Sequence, residues 1–99
     1  MDRTKWIAFF SQTGSEIVDI SRSLGRWPDK IITNKRPEHL RKINEELLNK
    51  DIIYLSNKPT VEEYRNVLSE KSIVTLHGWL RIMPPEICEQ HKIFNGHPG

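Results

Sequence analysis

Apolar residues along this chain follow two alternating patterns, short continuous runs and stripes at helical spacing. Residues 5–10, Lys-Trp-Ile-Ala-Phe-Phe, form an apolar, aromatic run that ends in Ser11, Gln12, Thr13 and Gly14, the pattern of a buried strand feeding a turn. Ser15 is placed to cap a helix. Ile17, Ile20 and Leu24 then recur at spacings of three and four and Gly25 supplies a stop, which predicts that this helix is amphipathic. Residues 30–33 read as a second strand, and Leu40, Ile43 and Leu47 mark the inward stripe of a second helix between Pro37 and Lys50. Residues 51–55 resume the strand pattern. Thr60 followed three residues later by Glu63 has capping-box spacing, and Val61, Tyr64 and Leu68 line one face of a third helix. Residues 72–76 form a fourth strand and residues 92–94 a brief fifth. Between them Pro84, Pro85 and Glu86 open a short helix, since a first turn tolerates proline's missing donor.

Buried strands alternating with amphipathic helices predict an α/β fold: a Rossmann-like, mostly parallel sheet with helices on both faces and right-handed crossovers. No repeat and no interdomain linker interrupts the pattern, so residues 1–99 read as one domain. A chain of 99 residues buries proportionately less surface than a larger domain, and its stability margin is expected to be narrow.

Composition narrows the classes further. With 36% hydrophobic residues, three Trp and no low-complexity tract, the chain is expected to fold. No apolar run approaches the length of a membrane span, and the opening residues lack the apolar core of a secretion signal, so a cytoplasmic protein with no membrane contact is expected. Cys88 is the only cysteine, so no internal disulfide forms, a reducing compartment is favoured, and Cys88 reads as a small apolar filler. Basic residues outnumber acidic ones ten to seven in residues 1–50 and trail them five to six in residues 51–99. That mild asymmetry is compatible with a phosphorylated small molecule near the first half and is far from the basic stripe of a nucleic-acid binder.

Ligands of open α/β sheets bind outside the carboxyl ends of the strands, so three loops are candidates. In the first, Gln12, Thr13, Gly14, Ser15 and Glu16, the glycine permits close backbone approach and the helix start offers donors that suit a phosphate, although an ordinary capped turn has the same composition. In the second, after strand four, Gly78, Trp79 and Arg81 read either as a close-packed turn with a cation or as a surface Arg behind a core Trp. In the third, Asn95 and His97 place an amide and an imidazole two residues apart at a strand's carboxyl end. That pairing suits acyl transfer, with the amide stabilising an oxyanion and the imidazole moving a proton. A metal site is not expected: the four histidines are scattered, and neither His-Glu-x-x-His nor Cys-x-x-Cys spacing occurs.

Taken in order, these segments resemble the formyltransferase superfamily, and particularly its phosphoribosylglycinamide formyltransferases. The stretch from Ser11 to Ile17 is similar to that family's phosphate loop, Gly78 to Met83 to its Gly-aromatic-x-Arg-Ile-Leu folate segment, and Asn95 to Pro98 to its Asn-x-His-Pro signature. The resemblance implies transfer of a formyl group from 10-formyltetrahydrofolate, as donor, to the primary amine of a phosphorylated small molecule, glycinamide ribonucleotide in purine biosynthesis. Gln12, Thr13, Gly14, Ser15 and Glu16 would hold the phosphate, Arg81, Ile82 and Met83 would border the folate, and Asn95 and His97 would be catalytic. It also implies that the chain is the N-terminal part of that fold, incomplete after Asn-x-His-Pro, because the family's catalytic Asp lies downstream. The chain alone is therefore expected to be nearly inactive and to need a complementing C-terminal half, or to self-associate through its last strand edge. One departure stands out: Glu16 occupies a position where the family usually has Asn, and a carboxylate repels an anion. A methionyl-tRNA formyltransferase-like enzyme, with tRNA as partner, a formyltetrahydrofolate hydrolase-like enzyme and a non-catalytic α/β assembly module are the alternatives.

Overall fold

A computed structural model describes residues 4–34, 43–68, 71–79 and 83–95. Nine elements alternate along them: β1 (Lys5–Phe10), α1 (Ser15–Leu24), β2 (Lys30–Thr33), α2 (Glu45–Leu48), β3 (Ile52–Tyr54), α3 (Val61–Val67), β4 (Ser72–His77), α4 (Pro85–Gln90) and β5 (Lys92–Asn95). The five strands form one sheet in the order β3-β2-β1-β4-β5, every adjacent pair parallel. The α/β architecture expected from the alternation is thus present.

The apolar runs serve two cores. Successive side chains of a strand point to opposite faces, so β1 sends Ile7 and Phe9 to one side and Ala8 and Phe10 to the other. On the first side lie Tyr64, Val67 and Leu68 from the third-helix region and Ile87 from α4; on the second lie Ile17 and Val18 from α1 and Leu47 from α2. Helices therefore cover both faces, which is why β1 reads as a continuous apolar run and not as an alternation. Phe9, Tyr64 and Trp79 interlock, Phe9 and Trp79 meeting edge to face at 5.1 Å between ring centroids.

Several local expectations hold and several need correction. Thr60 closes the capping box: its hydroxyl accepts from the Glu63 N–H at 3.1 Å while the Glu63 carboxylate accepts from the Thr60 N–H at 3.2 Å. Ser15, in contrast, is the first residue of α1 and not its cap. Gly14 takes the cap position at φ 76°, with its carbonyl accepting from the Ile17 N–H at 3.0 Å. The buried stripe of α1 is Ile17, Val18 and Ser21, while Leu24 in the last turn is 64% exposed, because that turn extends past the covered face. The described part of α2 starts only at Glu45, since the Asn44 side chain accepts from the Glu46 N–H at 2.9 Å and caps the helix there; Leu40 lies outside the described residues. Strand β3 is shorter than expected, whereas β4 reaches His77 and β5 reaches Asn95. Cys88 is exposed, since α4 buries its neighbour Ile87 and turns the next position outward. Among the described residues no helix is long and apolar enough to cross a membrane.

Candidate functional site at the carboxyl ends of the central strands

Strand order reverses between β1 and β4. From β1 the chain moves through α1 to β2 on one side, and from β4 it moves through α4 to β5 on the other, so the two loops leave the sheet toward opposite faces and open a crevice. The pairings Phe10 with His77 and Leu76 with Asn95 put the carboxyl ends of β1, β4 and β5 at one edge of the sheet. The first candidate loop, Gly78 and Asn95 consequently lie at the same end of the molecule.

Both glycines of this crevice are conformationally required. Gly14 (φ 76°) and Gly78 (φ 66°) occupy the left-handed region that side chains with a Cβ disfavour. A Cβ on Gly14 would collide with Leu47 Cδ1, and one on Gly78 would come within 3.1 Å of Gln12 Oε1, so the Gln12 side chain passes directly over the β4 turn. The rest of the first loop is tied to its neighbours. The Asn44 N–H donates to the Thr13 carbonyl at 2.8 Å, the Asn44 amide donates to Ser15 Oγ at 3.2 Å, and the Thr13 hydroxyl donates to Ser15 Oγ at 3.1 Å. Thr13 Oγ1 also accepts from the Ser15 N–H at 3.3 Å. Ser11 Oγ bonds the Asn34 side chain at 3.0 Å, anchoring the loop start to the end of β2.

Beneath this loop runs a polar chain that no local motif announces. Glu16 Oε1 lies 2.6 Å from His77 Nδ1, His77 Nε2 lies 2.7 Å from Thr75 Oγ1, and Trp6 Nε1 donates to the same hydroxyl at 2.8 Å. The His77 side chain is 2% exposed and that of Glu16 26%, so the array leads from the interior to the crevice wall. Its geometry comes from strand register. Thr75 and His77 stand beside Ala8 and Phe10, hence on the α1 face, where the first turn of α1 carries Glu16. A weak sequence signal does exist: Ile73, Thr75 and His77 share a strand face that turns polar toward its carboxyl end, where an apolar core would continue.

The remaining candidates are distributed unevenly. Gln12, Thr13 and Ser15 are exposed at the crevice, Gly14 is buried against Phe10 and Leu47, and Asn95 is exposed as the last residue of β5. Met83 is only 8% exposed and packs into the core with Trp79 and Ile87. Arg81, Ile82 and His97 lie outside the described residues. Among the described residues no three His, Cys, Asp or Glu side chains gather in a way that could hold a metal ion. An open hollow of about 680 Å³ lies at the opposite end of the sheet, bordered by Thr4, Lys71, Ser72, His91 and Lys92. Burial lowers the His91 pKa from its ordinary value, against an opposing hydrogen bond involving the Leu68 backbone, and Ser72 Oγ sits 3.4 Å from His91 Nδ1. That hollow faces the amino ends of the strands, whereas the carboxyl-end crevice lies where the strand order reverses, so the carboxyl-end crevice is the stronger candidate.

Comparison of the chain with protein-family models, with curated proteins and with solved structures gave no match in any of the three.

Proposed function

We propose that the carboxyl-end crevice is a formyl-transfer site, passing a formyl group from 10-formyltetrahydrofolate to a primary amine. The observation that carries this reading is the parallel register that aligns Phe10 with His77 and Leu76 with Asn95, which brings the first loop, Gly78 and Asn95 to one end of one sheet. The amine nitrogen attacks the formyl carbon, negative charge develops on the formyl oxygen, and collapse breaks the bond to the donor nitrogen. The Asn95 amide is the oxyanion donor in this scheme, His97 handles the proton, and Arg81, Ile82 and Met83 border the folate. Thr13, Gly14 and Ser15 form the acceptor side, with glycinamide ribonucleotide as the acceptor that the resemblance suggests.

The reading includes a finer fold assignment, the N-terminal part of a formyltransferase domain, supported by the five-stranded parallel sheet. It also includes a cytoplasmic location and a complementing chain or second copy at the β5 edge, where Phe94 is 57% exposed. Calorimetric titration with a stable 10-formyltetrahydrofolate analogue tests it. Saturable binding that weakens at least about tenfold in Arg81→Ala, from the loss of one charge-assisted contact, is the expected result. His97→Ala should retain binding, because its role lies in the chemical step. No binding by a folded chain would sink the reading.

A further inference from the structure

Every strand of the sheet begins at a lysine or within two residues of one. Lys5, Lys30 and Lys92 are the first residues of β1, β2 and β5, Lys71 immediately precedes β4, and Lys50 precedes β3 by two positions. Because all five strands run parallel, this spacing gathers the lysines at the amino end of the sheet, opposite the crevice. Several cations there are engaged within the fold. Lys30 Nζ donates to the Val67 carbonyl at 3.1 Å, Lys50 Nζ stands 4.3 Å from the centroid of the Trp27 ring, and Lys5 and Arg26 act on the Asp29 carboxylate. Lys71 and Lys92 differ. Among the described residues neither ammonium has an ion-pair or hydrogen-bond partner, and both border the hollow of about 680 Å³.

Lys71 lies two residues before Ile73, the register partner of Lys92. The two flexible stems therefore start from adjacent strands, about 4.8 Å apart, and can converge on one ligand group. Two like charges on one rim repel each other, and an oxyanion between them replaces that repulsion with attraction. Glu89 is the only acid among the described residues that border the hollow, so the rim stays net positive. The remaining walls suit an organic ligand more than a bare ion. Ile73 is half-buried and supplies an apolar side. Ser72 lines the hollow while only 3% exposed, and its hydroxyl stands 3.4 Å from His91 Nδ1, longer than the roughly 2.5–3.2 Å of a well-formed hydrogen bond. A buried hydroxyl held this loosely keeps hydrogen-bonding capacity that a ligand oxygen can take up. The volume is in the range that holds a small organic molecule.

We propose that this hollow is a second binding site, which takes a small organic oxyanion with its charged group between Lys71 and Lys92 and its carbon body against Ile73. It shares no residue with the carboxyl-end crevice and does not depend on formyl transfer there.

The test is an NMR titration of the chain at constant ionic strength with three probes of similar size: butyrate, propyl phosphate and butylammonium. At least one of the two oxyanions should shift the amide resonances of Lys71 to Ile73 and Gln90 to Lys92 saturably. Preference for butyrate identifies a carboxylate ligand, preference for propyl phosphate a phosphate ester, and equal binding a site that reads the charge common to both. Butylammonium, with the same carbon body and the opposite charge, should leave those resonances unmoved. Lys71→Gln and Lys92→Gln should each weaken binding about three- to fivefold, the loss of one partly exposed charge contact, and the double variant about tenfold or more. Lys50→Gln, at the same end of the sheet but outside the hollow, should leave the affinity unchanged. Neither oxyanion saturating at these resonances, butylammonium binding as well as butyrate, an unchanged affinity in the folded double variant, or a loss in Lys50→Gln as large as in Lys71→Gln would each overturn the proposal.

Discussion

Gly14 and Gly25 both adopt left-handed backbone, at φ 76° and φ 67°, but only one of them is crowded. A Cβ on Gly25 meets nothing within 4 Å, whereas one on Gly14 collides with Leu47 Cδ1 and approaches Phe10 Cδ2 at 3.3 Å. Replacement by Ala costs about 1–2 kcal/mol of backbone strain at either site. At Gly14 overpacking adds about 1–3 kcal/mol, because Leu47 and Phe10 are fully buried and their rotamers are set by the core. The gain from a less flexible unfolded chain, about 0.4–1 kcal/mol, applies to both and cancels in the comparison. Against a total stability of about 5–15 kcal/mol for a domain of this size, Gly14→Ala is a serious lesion and Gly25→Ala a modest one. Urea unfolding separates them: at a slope of about 1.5 kcal/mol per molar, the midpoint should fall by about 0.5 M in Gly25→Ala and by about 2 M in Gly14→Ala. The cause is checked in a Leu47→Val background, which removes Cδ1 at a cost of about 1 kcal/mol, and where Gly14→Ala should drop to the Gly25→Ala value. An equal loss for Gly14→Ala in both backgrounds would refute the steric reasoning and leave only the backbone strain.

Acid should destabilise the fold in steps whose sign is set by proton binding. The Ser56 backbone N–H, with help from the Ser56 hydroxyl and the Thr60 N–H, holds the Glu63 carboxyl below its ordinary 4.5, and the Trp6 N–H chiefly holds Asp29 below 3.8. Each binds fewer protons folded than unfolded, so the stability they contribute is present above those ordinary values and is lost as pH falls through the lower folded ones. Burial depresses His91 from 6.5, so the unfolded chain protonates first and stability starts to fall below that pH; urea midpoints measured across pH should show this early step, and His91→Gln should flatten it. Phe94→Lys should shift light scattering toward monomer if the β5 edge associates, and a native chain that stays monomeric at high concentration would count against that edge. Arg22 and Glu46 link α1 to α2 through an ion pair whose side chains are 63% and 40% exposed, so Arg22→Ala should change the urea-derived stability by only about 0.2–1 kcal/mol.

Which parts of this molecule are legible in the sequence depends on how locally their causes act. Strand β1 and the Thr60 capping box are specified within a few residues, by a continuous apolar run and by a three-residue spacing, and both appear where expected. Apolar period alone carries a helix through Ile43 and Asn44 because it ignores the Asn44 side chain, a local cap that starts α2 at Glu45; the part of that expectation from Pro37 to residue 42 lies outside the described residues. Ser15 misleads for the opposite reason. Its chemistry suits a cap, but Leu47 and Phe10 leave room beside the loop only for a residue without a Cβ, and Leu47 belongs to a different helix whose approach the loop sequence does not encode. Glu16 is visible as an oddity in an otherwise phosphate-like loop, while its partner His77 lies 61 positions away and only strand register joins them.

Stability gives no reason for that partnership. Burying a polar group without a partner costs about 1–3 kcal/mol, whereas a fully satisfied set nets little beyond what same-shaped apolar side chains would contribute. The α1 face of β4 had the simpler option, since Ala8 and Phe10 beside it are fully buried apolar residues and the same pattern could have continued across the sheet. In its place stand Thr75 and His77, joined to Trp6 and Glu16 by hydrogen bonds. The Glu16 carboxylate sits in the first turn of α1, at the point where the strand order reverses and where a parallel sheet presents its ligand site.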